Sequence, residues 1–80
     1  MKAVVVVRLK PDIADAAGSA VSQRLVDLGF SEVKDARIGK VIEVEMEAAD
    51  RDNATERVKQ MCERLLVNQV IEDFVLVSLQ

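Results

Sequence analysis

Apolar and acidic residues alternate strictly between residues 42 and 47. One face of this stretch would hold Ile42, Val44 and Met46, and the other Glu43, Glu45 and Glu47. A period of two is typical of a β-strand with one buried face. Strand-favouring residues also precede Gly39, so the pattern from Glu32 to Glu47 predicts two strands joined at Ile38-Gly39-Lys40.

The pairing within this predicted hairpin has two alternatives. A two-residue turn at Gly39-Lys40 places Asp35 and Arg37 on the core face, where charges need a partner. A three-residue loop or a bulge instead turns Lys34, Ala36 and Ile38 towards the core. In both cases Arg37 and Lys40 lie at the tip. They could bind a carboxylate or phosphate of a partner, or form a solvated turn.

Strands are also predicted near both ends of the chain, and both have a second apolar face. The first runs from Lys2 to Lys10, with Ala3, Val5, Val7 and Leu9 on one side and Val4 and Val6 on the other. The last runs from Val70 to Leu79, with Phe74 and Leu76 facing away from Val75, Val77 and Leu79. Valines on both faces favour a sheet that is covered on both sides, although solvent-exposed valines are common.

Two amphipathic helices separate these strands. The first is predicted from about Asp15 to Leu28, followed by a Gly29 cap. Gly18 marks either the start of this helix or a close approach of two backbones. The second runs from Arg51 to about Val67 after an Asp50 N-cap. Its predicted core stripe comprises Ala54, Val58, Met61, Cys62, Leu65 and Leu66.

The predicted order is strand, helix, strand, strand, helix, strand. Two amphipathic helices bury their stripes economically on one face of a four-stranded antiparallel sheet. We therefore expect residues 1–80 to form a single α+β domain of the ferredoxin-like βαββαβ class. The apolar outer faces of Val4, Val6, Val75 and Val77 predict dimerisation or higher self-association through the sheets, or insertion into a larger assembly.

Composition excludes several classes of partner. The 80 residues have a net charge of −3, with 11 basic and 14 acidic side chains spread along the chain. No basic tract could neutralise a run of phosphates, so a nucleic-acid partner is not expected. No apolar run approaches the ~20 residues needed to cross a bilayer. Met1-Lys2 leads directly into a strand without a signal-peptide pattern, so we expect no membrane and a cytoplasmic location.

Catalytic and metal chemistry have few candidate residues. The chain contains no histidine and a single cysteine, Cys62. Cys62 lies at helical spacing among apolar residues, which favours a buried core position over a reactive thiol. We therefore predict no catalytic, metal or cofactor-binding residues in this chain.

Other functions of the ferredoxin-like fold fit less well. A metal chaperone would place Cys-x-x-Cys where the sequence has Lys10-Pro11-Asp12-Ile13. An RNA-binding version needs aromatic residues on its central strands, and neither Phe30 nor Phe74 lies there. A stand-alone regulatory domain that binds a small metabolite near Gly29 or Gly39 remains an alternative.

Several sequence strings together resemble one known family. They are Asp35-Ala36-Arg37-Ile38-Gly39-Lys40 before Ile42-Glu43, then Met61-Cys62-Glu63-Arg64-Leu65-Leu66, and then Asn68-Gln69-Val70-Ile71-Glu72-Asp73-Phe74. These strings, and the Leu28-Gly29-Phe30 helix end before Glu32-Val33, resemble the PurS family along the whole chain. That family is the small subunit of phosphoribosylformylglycinamidine (FGAM) synthase in purine biosynthesis.

The resemblance implies a non-catalytic role within a ligase complex. In that family a PurQ-type glutaminase releases ammonia, and a PurL-type synthetase uses ATP and magnesium to activate formylglycinamide ribonucleotide. The small subunit holds the two together without binding a cofactor itself. Contact residues expected on this basis are Arg37, Gly39 and Lys40 at the tip, and Val4, Val6, Val75 and Val77 on the strands. A purely structural dimer unrelated to purines is a further alternative.

Overall fold

A computed structural model describes residues 1–80 as an α+β chain with one sheet. The elements are β1 (Lys2–Leu9), α1 (Ala16–Asp27), β2 (Gly39–Glu45), α2 (Arg51–Met61), a π-helical turn (Cys62–Leu66) and β3 (Glu72–Leu79). Three antiparallel strands form the sheet in the order β2-β1-β3. The α+β class is confirmed, but the sheet has three strands and not the four predicted.

The missing strand is the first half of the predicted hairpin. Residues 31–38 form no strand, and β2 begins at Gly39. The backbone N–H of Ala36 donates to the Asp35 carboxylate, and that of Ile38 donates to the Asp15 carboxylate. Side chains thus satisfy backbone donors that a strand ladder would otherwise use. Neither of the two predicted hairpin pairings forms.

The core lies between the central strand and one helix. Ala3, Val5 and Val7 on β1 are at most 1% exposed and belong to one apolar cluster with Ala54, Val58 and Cys62. The predicted inward residues Ile42 and Val44 on β2, and Met46 directly after it, are confirmed as partners of this cluster. The Asp50 cap is also confirmed, because its Oδ1 accepts from the Asn53 N–H at 2.7 Å.

A bulge in β3 changes the face of its last residue. Val5 lies opposite Leu76, whereas Val4 lies opposite Ser78, so Val77 is an extra residue in the ladder. The extra residue inverts the alternation beyond it. Leu79 therefore faces the core and is 8% exposed. The prediction that Leu79 shares a face with Val75 and Val77 was wrong for this reason.

Helix α1 extends away from the sheet. Gly18 is its only buried residue, and α1 makes few contacts with the other elements. The chain is 50 Å long, close to the sum of an eight-residue strand of about 27 Å and a 12-residue helix of about 18 Å. Its radius of gyration is 15.9 Å, against about 12 Å for a compact chain of this length. One helix, not two, covers the sheet.

The two chain ends lie together at the opposite end of the sheet. Lys2 and Gln80 exchange backbone hydrogen bonds of 2.7 and 2.9 Å. The Met1 amino group donates to the Met46 carbonyl at 2.9 Å. Arg51 at the start of α2 donates to the Leu79 carbonyl at 2.8 Å. Both helices are too short and too polar to cross a membrane.

Candidate interaction surfaces

The sheet face opposite α2 presents a cluster of valines. Val6 on β1 lies directly opposite Val41 on β2 and Val75 on β3, and facing residues of paired strands share a face. We call the following five residues the valine patch: Val4, Val6, Val41, Val75 and Val77. Val41, Val75 and Val77 are 61%, 48% and 58% exposed. An apolar group of this kind on a sheet face indicates a surface for another protein.

Charged residues border the valine patch at both ends. At one end Lys2 Nζ lies 3.1 Å from Glu43 Oε2, and Glu45 lies opposite Lys2 in the ladder. At the other end Arg8 lies opposite Asp73. An apolar centre with a charged border is the usual composition of a protein–protein interface.

Arg37 is a structural clamp in this chain. Its Nη2 donates to the Lys10 carbonyl at 3.0 Å and to the Ile13 carbonyl at 2.8 Å. These bonds attach the segment before β2 to the loop after β1. The predicted hairpin tip does not form, because residues 31–38 form no strand. Nη2 of Arg37 binds backbone acceptors instead.

Gly39 and Lys40 lie at the first positions of β2. Gly39 is opposite Arg8, and Lys40 is opposite Val7. The Lys40 side chain is 57% exposed, and its Nζ lies 3.9 Å from Glu72 Oε2, which is a weak ion pair at a surface. The predicted contact residues are therefore divided between the valine patch and the end of the sheet nearest α1.

Asp15 fixes the start of α1. Its Oδ1 accepts from the Gly18 N–H and its Oδ2 from the Ile38 N–H, both at 2.7 Å. The hydrogen bond from Ile38, followed by that from Gly18 and the nearby Arg37 charge, lowers the pKa of Asp15 below its ordinary value. One carboxylate therefore serves as helix cap and as tether of the segment before β2.

Gly18 permits a close approach of two backbones. A Cβ at this position would overlap the carbonyl oxygen of Ala36 and would lie 2.9 Å from the Asp15 carboxylate. The close approach was one of two predicted reasons for Gly18, and it is confirmed. Together Asp15, Gly18 and Arg37 hold α1 and residues 36–38 in one arrangement, which we call the α1 clasp.

A second open surface lies between α2 and β2. It is a groove of about 360 Å³ lined by Val44, Arg57, Gln60, Met61, Arg64, Leu65 and Leu66. The π-helical turn ends with the Val67 N–H donating to the Cys62 carbonyl, five residues back. This wider turn changes the direction of the side chains that follow Met61. Leu65 was predicted as core and is instead 83% exposed.

Cys62 is buried as predicted. It is fully inaccessible and belongs to the core. Burial, with a smaller effect of Glu63, raises the pKa of its thiol. A protonated thiol without access to solvent is a weak nucleophile. No group of three potential metal-ligating side chains comes together in the structure.

Three residues important to these surfaces were not identified as such from the sequence. The pattern does not indicate Val41, because the strict apolar–acidic alternation begins only at Ile42. Leu65 keeps the spacing of a regular α-helix, and nothing in that spacing indicates a π turn. Asp15 was recognised only as the approximate start of α1, although an acidic residue before a helix is a common cap.

Comparison with known families gives a match along almost the whole chain. The family model PurS, described as phosphoribosylformylglycinamidine (FGAM) synthase, matches residues 2–79. The chain is 48% identical over 73 residues to the phosphoribosylformylglycinamidine synthase subunit PurS of Bacillus subtilis (strain 168), which covers 91% of this chain and 86% of that protein.

Solved structures agree with this match. The crystal structure of the purS subunit of phosphoribosylformylglycinamidine synthase from Thermotoga maritima superposes with a TM-score of 0.88 at 35% identity, over 98% of this chain and 90% of that one. A chain in the structure of PurLQS from the same organism gives a TM-score of 0.85 at 32% identity, over 99% of both chains. The fold described above, with its extended α1, is therefore similar to that of these proteins.

Proposed function

The chain belongs to the PurS family of FGAM synthase, and we propose that it acts there as a non-catalytic subunit that holds a glutaminase and an ATP-dependent synthetase together. The main support is the full-length similarity to a chain from a PurLQS assembly. Matching over 99% of both chains relates the whole fold, not a shared fragment, to a protein that works inside a complex.

A bridging subunit meets a defined physical need. Ammonia released from glutamine at one site must reach formylglycinamide ribonucleotide at another before it escapes into water. Docking the two enzymes in a fixed geometry makes the second reaction effectively intramolecular. A small rigid chain with open surfaces on different sides is suited to that role. In this proposal ATP and magnesium bind the synthetase, and this chain binds no cofactor.

The valine patch is our proposed surface for self-association into a homodimer. Burying a valine side chain completely contributes about 1.5–3 kcal/mol. Val75 is 48% exposed, so covering it would contribute about 1 kcal/mol per chain. A two-fold interface uses every residue twice, so the contribution of each valine doubles. The charged border of Lys2, Glu43 and Arg8 would then fix the relative orientation of the two sheets.

The end of the sheet nearest α1 is our proposed contact with the enzyme subunits. Lys40 offers an exposed cation there, next to Gly39, whose missing side chain allows the close approach of the Val7 carbonyl on β1. Arg37 contributes by holding the preceding segment in place through its two backbone acceptors. A shallow cleft of about 300 Å³ adjoins this end and contains both Arg8 and Arg37.

Reconstitution with purified synthetase and glutaminase tests the bridging function. Glutamine-dependent turnover should require this chain, whereas turnover with added ammonia should persist without it. Size-exclusion chromatography with ADP and glutamine should show all three proteins in one peak. Unchanged glutamine-dependent turnover when this chain is omitted would refute the proposal. Tight binding of ATP, glutamine or a purine precursor by the isolated chain in calorimetry would favour the metabolite-sensing alternative.

Two valine variants test the role of the valine patch. Val75→Asp places a charge in the proposed interface and should weaken self-association at least about 100-fold, because a symmetric interface contains the change twice. Val70→Asp is the matched control, since Val70 is 78% exposed in the loop before β3 and lies outside the patch. Equal dissociation constants for the two variants in sedimentation equilibrium would exclude the patch as the interface.

A further inference from the structure

The shallow cleft at the end of the sheet nearest α1 contains charges of both signs. Its volume is about 300 Å³, and its charged lining residues are two arginines and two aspartates: Arg8, Arg37, Asp35 and Asp73. Sites for small ligands span about 300–1,000 Å³, so this cleft is at the lower limit of that range. Its size therefore suits a small molecule of few atoms.

The absence of a side chain at Gly39 explains why two of these charges are not paired. Arg8 and Asp73 face each other on β1 and β3 but form no ion pair. Gly39 lies opposite Arg8 on β2, and a Cβ at Gly39 would lie 3.3 Å from Cγ of Arg8. The stem of Arg8 thus lies over Gly39, towards β2. The carboxylate of Asp73 on the β3 side is left without an ion-pair partner.

The other two charges are held in place by the backbone. Nη2 of Arg37 donates to the Lys10 and Ile13 carbonyls, which leaves Nη1 and Nε without hydrogen-bond partners in the chain. Oδ1 of Asp35 accepts from the Ala36 N–H, and its Oδ2 accepts no hydrogen bond. Side chains that are already fixed lose little conformational entropy when they bind a ligand. Each of these groups therefore offers a pre-ordered polar contact.

The balance of charge selects the kind of ligand. A phosphate would be attracted by the two guanidinium groups but repelled by the two carboxylates. A free α-amino acid has a carboxylate and an ammonium group side by side, so it offers one charge of each sign. Leu9 and Ile38 line the same cleft and supply apolar surface for its side chain.

We propose that this cleft binds a free α-amino acid as a zwitterion. The two arginines hold its carboxylate, and the two aspartates hold its ammonium group. All four side chains are exposed, so binding to the isolated chain is weak, with a Kd on the order of 1 mM, unlike the tight binding of a stand-alone sensor. The site goes beyond the proposed bridging function and does not depend on it, because it needs no partner subunit.

Three probes of similar shape and different charge test the proposal. L-valine is a zwitterion, N-acetyl-L-valine lacks the ammonium charge, and L-valinamide lacks the carboxylate. Each is titrated into the isotope-labelled chain at about pH 6.5, below the α-amino pKa of about 7.7–8.0, while NMR follows the amide resonances of Ile38, Gly39 and Asp73. L-valine should bind about 10-fold more tightly than either analogue, since each analogue loses its charge-assisted hydrogen bonds at one end.

Substitutions that neutralise one charge identify which end of the ligand each residue binds. Asp73→Asn should weaken binding of L-valine about 10-fold but should not weaken binding of N-acetyl-L-valine. Arg8→Gln should weaken binding of L-valine but not of L-valinamide. Lys2→Gln is the matched control, because Lys2 lies on the same strand and the same face as Arg8, at the other end of the valine patch. The same spectra show that each variant remains folded.

Three results would overturn this proposal. Equal affinities for the three probes, or no shift with L-valine, would show that the cleft does not recognise a zwitterion. Inorganic phosphate that shifts the same amides at lower concentration than L-valine would show a simple anion site. An Arg8→Gln protein that binds L-valine as well as the Lys2→Gln control does would show that the ligand binds elsewhere.

Discussion

Replacing Gly18 with alanine tests the close approach at the α1 clasp. In a regular helix this change stabilises, because alanine has a helix propensity up to about 1 kcal/mol better than glycine. Here the added Cβ would overlap the carbonyl oxygen of Ala36. That oxygen belongs to the backbone, so the overlap cannot be relieved by rotating a side chain.

The magnitude follows from these two opposing effects. Forcing an extra methyl group into an occupied space costs about 1–3 kcal/mol. Subtracting the gain in propensity leaves a net loss of about 1 kcal/mol for Gly18→Ala. For a chain of this size that loss corresponds to a decrease in Tm of about 4–8 °C. The sign of the change, more than its size, distinguishes the two effects.

Thermal unfolding followed by circular dichroism measures this at one fixed protein concentration, since association also shifts Tm. Ala20→Gly is the control for propensity, because Ala20 is exposed on the same helix and should lose up to about 1 kcal/mol. A Gly18→Ala protein that melts higher than the original chain would refute the close approach. The Ala36 amide resonance should also shift in Gly18→Ala and remain in place in Ala20→Gly.

Further predictions concern the cap and the core. Asp15→Asn leaves one oxygen for two backbone donors, so the urea midpoint should decrease at neutral pH, with the Ile38 amide losing protection from hydrogen exchange. Because folding lowers the pKa of Asp15, its contribution to stability is present above about pH 4 and is lost as pH falls through the lowered value. Asp15→Asn should therefore weaken the decrease in stability on acidification, and an unaltered decrease would contradict this. Val58→Ala should cost about 2 kcal/mol in chemical unfolding, since Val58 is fully buried. Cys62 should react with Ellman's reagent only after urea is added, and rapid reaction of the folded chain would argue against its burial.

Local patterns along the chain predicted most of the sheet and of α2. The period of two in a strand assigns the residues of β1 and β2 to two faces, and the structure confirms that Val5 and Ile42 face the core. The Asp50 cap depends only on residues three positions apart, so the sequence contains all the information needed. Core positions on α2 before the π turn, such as Val58, were predicted for the same reason.

The errors concern features that depend on distant or non-local partners. Residues 31–38 have strand propensity, but the backbone N–H groups of Ala36 and Ile38 donate to carboxylates, the second to that of Asp15 more than 20 positions away. The apolar stripe on α1 correctly predicts a helix, but its spacing carries no information about the surface that the stripe contacts. The bulge at Val77 and the π turn after Met61 each shift the pattern of buried positions by one residue. The periodicity of the sequence gives no sign of such insertions.

The pairing of Lys2 with Gln80 has a practical consequence. Because both termini lie side by side at the end of the sheet farthest from α1, a tether attached to either one would present the molecule in the same orientation. Chains immobilised through a terminus would keep α1 pointing into solution. A fluorophore at one terminus and a quencher at the other would also report the separation of β3 from β1.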